Sequence, residues 1–206
     1  MTDNKHIALA LTGASGAPYS KRLLEVLLGQ GMTVHLMISA AARIVFSDEL
    51  DWKLPGRAGD VQKYLVKEFN CQPELLQVYG EQQWSSPLAS GSHKIETMIV
   101  CPCTMGTLSS IACGSSDNLI NRAADVMIKE NRRLILVPRE APFSAIHLEN
   151  MLKLSRLGVC ILPPSPGFYF KPTQLEQLVD FVVAKILDQA KIEHDLQPRW
   201  GEKERN

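Results

Sequence analysis

Ile7-Ala-Leu-Ala-Leu-Thr12 is a nearly continuous apolar run that leads directly into the small-residue turn Gly13-Ala-Ser-Gly16. A run without regular polar alternation is typical of a strand that is covered on both faces of a parallel sheet. A helical pattern over Tyr19–Leu28 follows the turn, and a helix N-terminus behind small residues favours bound anions. The stretch therefore predicts the first β-α unit of an α/β protein, with space for a ligand beside the turn.

The alternation of apolar runs and helical patterns continues along the chain. Further strands are predicted at Val34–Ser39, Thr97–Cys101, Leu134–Val137 and Val159–Leu162. Further helices are predicted at Ala40–Phe46, Val61–Phe69, Thr107–Cys113, Leu119–Glu130, Ser144–Leu157 and Leu175–Ala190. Residues 51–92 are less regular, and we interpret them as an elaboration between strands that contains one of these helices. The pattern predicts a single-domain, three-layer, doubly wound α/β fold with a parallel sheet, Rossmann-like or flavodoxin-like, over residues 1–193, followed by a polar tail over 194–206.

The composition argues against several classes of function. Lys plus Arg and Asp plus Glu both number 22, so a broad basic surface for nucleic acid is not expected. No apolar run approaches the roughly 20 residues of a membrane-spanning helix, and the N-terminus lacks the apolar stretch of a signal peptide. The five cysteines show no zinc-type spacing, because Cys101-Pro-Cys103 has no second pair. We therefore expect a cytoplasmic protein with reduced thiols, no metal site and no nucleic-acid or membrane partner.

The residues after the predicted strands are the first candidates for a site, because ligands of doubly wound folds bind at the carboxyl ends of the strands. Gly13-Ala-Ser15 follows the first strand, and the second strand ends in Ser39 rather than in an acidic residue that would bind a ribose. A nicotinamide cofactor is therefore disfavoured. Thr104-Met-Gly-Thr107 adds a second small, hydroxyl-bearing loop. A tight turn that needs glycine explains the first loop equally well.

A cationic group lies in the second half of the chain. Arg122 and Lys129 are seven residues apart in one predicted helix, so they share a face. Arg139 and Glu140 directly follow an apolar run, where a charged pair is costly unless it is solvated or used. Arg and Lys in this arrangement would suit a phosphate, although surface ion pairs explain the same pattern. The chain has no D-D-x-x-D sequence to hold magnesium against a diphosphate, which favours a monophosphate.

In these strand-end motifs the chain resembles the flavin prenyltransferases of the UbiX type, and the resemblance extends over nearly its whole length. The motifs are Thr12-Gly-Ala-Ser-Gly-Ala17, Pro102-Cys-Thr-Met-Gly-Thr-Leu-Ser109, Arg122-Ala-Ala-Asp-Val-Met-Ile-Lys-Glu130, Arg139-Glu140 and Pro163-Pro-Ser-Pro-Gly-Phe-Tyr169. The resemblance implies metal-independent transfer of a dimethylallyl group from dimethylallyl phosphate to reduced FMN, with ring closure through N5 and C6. It also implies a homo-oligomer, often a dodecamer, with sites shared between subunits. The product, prenylated FMN, would serve UbiD-type decarboxylases, commonly in ubiquinone biosynthesis.

The resemblance also implies roles for individual residues. The implied flavin site comprises Gly13, Ala14, Ser15, Ser39, Thr104, Met105, Gly106, Thr107 and Arg139. The implied site for the substrate phosphate and prenyl group comprises Ser90, Gly91, Arg122, Lys129, Arg139, Tyr169, Lys185 and Trp200. The implied catalytic groups are Ser15, Glu49, Lys129 and Glu140. Lys185 stands where some relatives carry Arg, which keeps the charge but loses the bidentate fork.

The chemistry of allylic transfer supports these roles. Cleavage of the C–O bond places negative charge on the phosphate, which Lys129, Arg122 and Arg139 would stabilise. The allylic cation would be stabilised by the flavin face and Trp200. Glu140, Glu49 or the departing phosphate would accept the proton that ring closure releases.

Three alternative functions fit the sequence less well. Flavin-dependent cysteine decarboxylases share the architecture but resemble one another in a P-A-S-A-N-T loop and a P-x-M-N-x-x-M-W clamp. Here the loop reads Pro102-Cys-Thr-Met-Gly-Thr107, and Arg139-Glu-Ala-Pro-Phe143 contains no such clamp. An aromatic-acid decarboxylase would need a metal site or carboxylate pocket that the sequence does not supply. A passive FMN carrier would leave Glu140, Lys129 and Tyr169 without a role.

Overall fold

The computed structural model describes residues 6–197 of the chain. The strands are β1 His6–Leu11, β2 Thr33–Ile38, β3 Leu76–Tyr79, β4 Thr97–Cys103, β5 Arg133–Pro138 and β6 Cys160–Ile161. The helices are α1 Ala17–Gly29, α2 Ala40–Leu50, α3 Ala58–Glu68, α4 Met105–Cys113, α5 Leu119–Lys129, α6 Ala145–Arg156 and α7 Leu175–Ala190, with short 3-10 turns at Pro73–Leu75 and Pro87–Ala89. Within residues 6–197 no helix combines the length and apolarity needed to cross a membrane.

The strands form one parallel sheet in the order β3-β2-β1-β4-β5-β6. Apolar residues of α1, α2, α3 and α7 pack on one face of this sheet. Those of α4, α5 and α6 pack on the other face. The predicted three-layer, doubly wound fold is confirmed. The strand order changes direction between β1 and β4, which is where such folds form a ligand crevice.

The elaboration over residues 51–92 contains a strand, β3, that the sequence pattern did not predict. In β3, Leu76 and Val78 are buried while Gln77 and Tyr79 are half-buried. A four-residue strand at the border of the sheet has one partner and alternating burial, so it lacks the continuous apolar run of the central strands.

Helix caps and one glycine shape the loops at the end of the sheet where the strands terminate, termed here the carboxyl end. Ser39 caps α2 by accepting a hydrogen bond from Ala42 N, at 3.1 Å. Thr104 caps α4 in the same way through Thr107 N, also at 3.1 Å. A Cβ atom at Gly13 would overlap Ala41, so only glycine allows the loop after β1 to lie against the start of α2.

Candidate active site

Thr12 ties the loop after β1 to the loop after β4 across the crevice. Its buried hydroxyl donates to Pro102 O at 2.8 Å and accepts from Thr104 N at 2.8 Å. The pair of hydrogen bonds fixes the first predicted flavin loop relative to the second. Thr12 was not among the predicted site residues, because its partners lie about 90 positions away in the sequence and no local pattern reveals them.

Glu49, in α2, reaches the N-terminus of α1. Its Oε2 accepts hydrogen bonds from Gly16 N at 3.0 Å and Ala17 N at 2.8 Å, and Ser15 donates a side-chain hydrogen bond to the same carboxylate. Burial alone would raise the pKa of Glu49, but these hydrogen bonds and the charge of Arg139 together lower it. The structure thus brings Ser15, Glu49 and Arg139 together around a carboxylate that stays ionised at neutral pH.

Glu81 holds a second helix N-terminus at this end. Its side chain accepts from Ala40 N at 3.0 Å, and its backbone carbonyl accepts from Leu119 N at 2.7 Å, so it joins the starts of α2 and α5. Glu81 was missed because it follows β3, the strand that was not predicted. Its position after a strand was the signal that would have identified it.

The remaining donors at the carboxyl end fit the phosphate of a flavin nucleotide. Glu49 already occupies the start of α1. The first-turn amides of Met105 and Gly106 in α4 have no partner within their own helix, and the hydroxyls of Thr104 and Thr107 lie 2.9 Å apart beside them. A helix N-terminus with two hydroxyl groups is a suitable anion site.

Arg122 and Lys129 share one face of α5, as their spacing predicts, and that face lies against residues 89–91. Arg122 Nε donates to Ala89 O at 3.0 Å. Lys129 pairs with Glu130, and a Cβ atom at Gly91 would overlap the Glu130 carboxylate and lie 3.0 Å from Lys129 Nζ. The predicted substrate residues Ser90 and Gly91 therefore lie beside Lys129.

Lys129 and Arg139, however, lie toward opposite ends of the sheet. Lys129 ends α5 and precedes the start of β5 at Arg133, whose N–H donates to Glu96 O at 3.0 Å just before β4. This is the amino end of the sheet, where the strands begin. Arg139 follows the last residue of β5, and its N–H donates to Cys103 O at 3.2 Å. The six residues of β5 separate the two positions by about 20 Å along the strand, so a single chain does not bring them to one point.

Tyr169 and Lys185 form a third group, around Phe181 of α7. The Tyr169 ring centroid is 5.9 Å from that of Phe181, and Lys185 Nζ lies 5.8 Å from the Phe181 ring while pairing with Asp188 at 3.6 Å. Because α7 and α5 cover opposite faces of the sheet, the predicted phosphate-binding set is divided within one chain.

Two further predicted positions are placed only in part. Glu140 is exposed and accepts a hydrogen bond from Ala141 N at 3.1 Å. Trp200 lies outside the described residues, as does 198–206 of the predicted tail. Among residues 6–197, no three His, Cys, Asp or Glu side chains are arranged to hold a metal ion.

Comparison with known proteins identifies the family. A family profile described as Flavoprotein matches residues 1–187. The chain is 52% identical over 202 residues to the flavin prenyltransferase UbiX of Pseudomonas aeruginosa, covering 98% of this chain and 97% of that protein.

Two solved structures are similar over nearly the whole chain. AnUbiX (PadA1), in complex with FMN and dimethylallyl pyrophosphate, superposes with a TM-score of 0.85 at 37% identity, covering 97% of this chain and 99% of that one. A dodecameric FMN-dependent UbiX-like decarboxylase from Escherichia coli O157:H7 superposes with a TM-score of 0.83 at 40% identity, covering 96% and 100%.

The profile match and the crevice between β1 and β4 define a flavoprotein. The high identity to curated relatives shows, more narrowly, that the chain belongs to the UbiX family of flavin prenyltransferases. The predicted family, flavin cofactor and enzyme class are thereby confirmed.

Proposed function

We propose that this protein transfers a dimethylallyl group from dimethylallyl phosphate to reduced FMN, at N5 and then C6, and releases prenylated FMN. The observation that carries the proposal is the group of Ser15, ionised Glu49 and Arg139 at the crevice between β1 and β4. A passive carrier has no need of a carboxylate hydrogen-bonded to a serine hydroxyl at this place. The AnUbiX complex supports both FMN and a dimethylallyl donor.

At the carboxyl end, this chain's residues bind and orient the flavin. The start of α4 and the Ser39 hydroxyl would hold the phosphate of FMN, and the loop 13–15 would contact the ring system. Reduced FMN supplies the nucleophilic N5 and C6 positions. Ser15 is fixed by Glu49 and would orient the ring at N5, and the departing phosphate would take the proton that N5 loses as the C–N bond forms. Ring closure would then need one proton added to the prenyl double bond and one removed from C6, and Glu49, Glu140 or the phosphate would serve as the acid and the base.

At the amino end, Lys129 neutralises the leaving phosphate. The electron pair of the broken C–O bond stays on the phosphate oxygen, and the ammonium group stabilises this developing charge. In the structure Lys129 pairs with Glu130, so the substrate phosphate competes with that carboxylate. Arg122 lies on the same face of α5, about 10 Å from Lys129 toward the start of the helix, where it pairs with Asp125 at 2.8 Å and donates to Ala89 O; it adds positive charge beside residues 89–91.

The distance between the two ends supports shared sites. We infer that the chain forms a homo-oligomer, as the dodecameric relative does, in which α5 of one subunit completes the crevice of another. Tyr169, Lys185 and Trp200 are likewise contributed to the site through contacts between subunits. Exposed apolar side chains such as Leu148, Leu152 and Phe168 support burial against further copies. We also propose a cytoplasmic location and a UbiD-type decarboxylase as recipient of the product.

Anaerobic incubation with FMN, a reductant and dimethylallyl phosphate tests the proposal. The extracted flavin is expected to gain a five-carbon unit by mass, and a parallel reaction without the donor is expected to yield unmodified flavin. Dimethylallyl diphosphate is tested alongside, because the related complex contains it. Bound but unmodified FMN with both donors would refute the transferase and favour the carrier.

A further inference from the structure

Arg132 lies in the turn between α5 and β5 and binds the backbone of a distant loop. Its backbone N–H closes the end of α5 on Met127 O at 2.8 Å, and only 12% of its side chain is exposed. Its guanidinium donates to Gly91 O at 2.7 Å, to His93 O at 2.6 Å and to Ile95 O at 3.4 Å. One side chain thus satisfies three carbonyls of residues 89–95, termed here the 89–95 loop.

The 89–95 loop depends on these contacts because most of it has no regular structure. Its chain leaves the 3-10 turn Pro87–Ala89 and reaches β4 at Thr97 without forming strand or helix in between. Arg122 holds the beginning of the loop through Ala89 O, and Arg132 holds the rest. Arg122 lies within α5 and Arg132 lies just after its end, so the loop is fastened to the helix that carries Lys129.

An ordinary ion pair does not explain Arg132. The nearest carboxylate, Glu96 Oε1, is 4.0 Å from Arg132 Nε, and the Glu96 side chain is 59% exposed, so this pair contributes little. The planar fork of arginine is suited to several acceptors at once, and a lysine ammonium cannot span Gly91 O and His93 O in the same way. Three short or moderate bonds to carbonyls are the specific feature of this side chain.

We propose that Arg132 is a positioning residue for prenyl transfer, which holds Ser90 and Gly91 against Lys129 so that the loop and the ammonium meet the substrate phosphate in one arrangement. This inference rests on the proposed function. Gly91 has no free space between its Cα and the side chains of Lys129 and Glu130, so a shift of the loop changes the place of both. Without the hydrogen bonds of Arg132, substrate binding must also order the 89–95 loop, and the entropy lost in this ordering weakens binding of the dimethylallyl donor.

The test compares Arg132→Lys with Arg133→Lys. Arg133 is adjacent and bears the same charge, but its guanidinium contacts Ala190 O at 3.4 Å on α7 and not the loop. In Arg132→Lys, the KM for dimethylallyl phosphate is expected to rise about tenfold or more, with kcat less affected and the affinity for FMN unchanged. Hydrogen exchange of the amides of residues 89–96 is expected to accelerate in the same variant. Arg133→Lys is expected to match the parent in all these measurements.

A second variant reaches the loop without altering Arg132. Gly91→Ala places a methyl group against Glu130 and is expected to raise the same KM. The inference is overturned by a parent-like KM in Arg132→Lys, by an equal rise in Arg133→Lys, or by unchanged exchange of residues 89–96. A parent enzyme that makes no prenylated flavin would refute the proposed function itself, while the exchange data would still decide whether Arg132 holds the loop.

Discussion

The two ends of the sheet shift the pKa of a titratable side chain by opposite means. At the carboxyl end, Glu49 is held ionised by Ser15, two amides and Arg139. At the amino end, His35 is 5% exposed, with Nε2 3.1 Å from His6 Nδ1 and Nδ1 3.0 Å from Tyr79 Oη. Burial, followed by the neighbouring His6 and His93, lowers the pKa of His35 to about 4. Hydrogen-bond donors and a cation keep Glu49 charged at the first site, whereas burial, together with two neighbouring histidines, keeps His35 neutral at the second.

The largest effect on the rate of prenyl transfer is expected from removal of the cation at the amino end, Lys129. Lys129→Ala is expected to reduce the rate of prenyl transfer by about 10²- to 10³-fold, because the charge on the leaving phosphate is no longer stabilised. FMN binding, assigned to the other end, is expected to stay at the parent level. Steady-state product formation and flavin titration measure the two quantities. Lys153→Ala, at an exposed position of α6, is the control. A parent-like rate in Lys129→Ala would refute the role of Lys129 in stabilising the leaving phosphate.

A smaller effect is expected at the carboxyl end. Glu49→Gln is expected to slow turnover by about 10- to 100-fold, because the carboxylate can no longer accept a proton or hold Ser15 in the same way. Since the pKa of Glu49 is lowered, the parent rate should show no titration of this group between about pH 5 and 8. Rate–pH profiles of the parent, Glu49→Gln and the neighbouring Asp48→Asn measure this. An equal loss in Asp48→Asn would contradict a specific role.

The sharing of sites between subunits can be tested by combining two impaired variants in one oligomer. When Glu49→Gln and Lys129→Ala chains are co-expressed, shared sites combine an intact carboxyl end with an intact amino end in about a quarter of cases. Activity is therefore expected to recover to that fraction of the parent level, although each variant alone is weak. Sites confined to single chains would give no recovery on co-expression. Mixing the purified variants without subunit exchange serves as the control.

The smallest effect concerns stability at the amino end. His35 binds its proton only near pH 4 when folded, whereas the unfolded chain binds it near pH 6.5. Stability is therefore complete above pH 6.5 and is lost as the pH falls toward 4, by up to about 3 kcal/mol. The groups that face this site are His6, His93 and Tyr79, with Arg132 acting on His93. Unfolding of the parent and His35→Asn at pH 7.5 and 5 measures the difference; an equal loss in both would contradict it.

Much of the fold follows from local sequence. The central strands are continuous apolar runs because helices cover both faces of the sheet. Ser39 and Thr104 mark the starts of α2 and α4, since their hydroxyls cap these helices. The border strand β3 was missed because it alternates and is short. The family resemblance supplied the predicted members of the site and the expectation of shared sites, but not the end of the sheet at which each residue lies.

The parts of the site that were not predicted depend on long-range geometry. The bonds of Thr12 and Arg132 join segments about 90 and 40 positions apart, beyond any local pattern. The position of Lys129 could have been predicted from the sequence, because a residue that ends a crossover helix lies near the beginning of the next strand. Lys129 was grouped with Arg139 by its charge and by the family resemblance.

The Glu49 side chain, which reaches from α2 to the start of α1, also competes with any anionic ligand for the amides at that helix N-terminus. In doubly wound proteins that bind dinucleotides, the first helix N-terminus receives the pyrophosphate. Here a carboxylate of the protein itself already fills that place, through Gly16 and Ala17, and repels a second anion. This carboxylate therefore disfavours a dinucleotide pyrophosphate at the start of α1 by charge, although the strand order is one that dinucleotide-binding proteins also use.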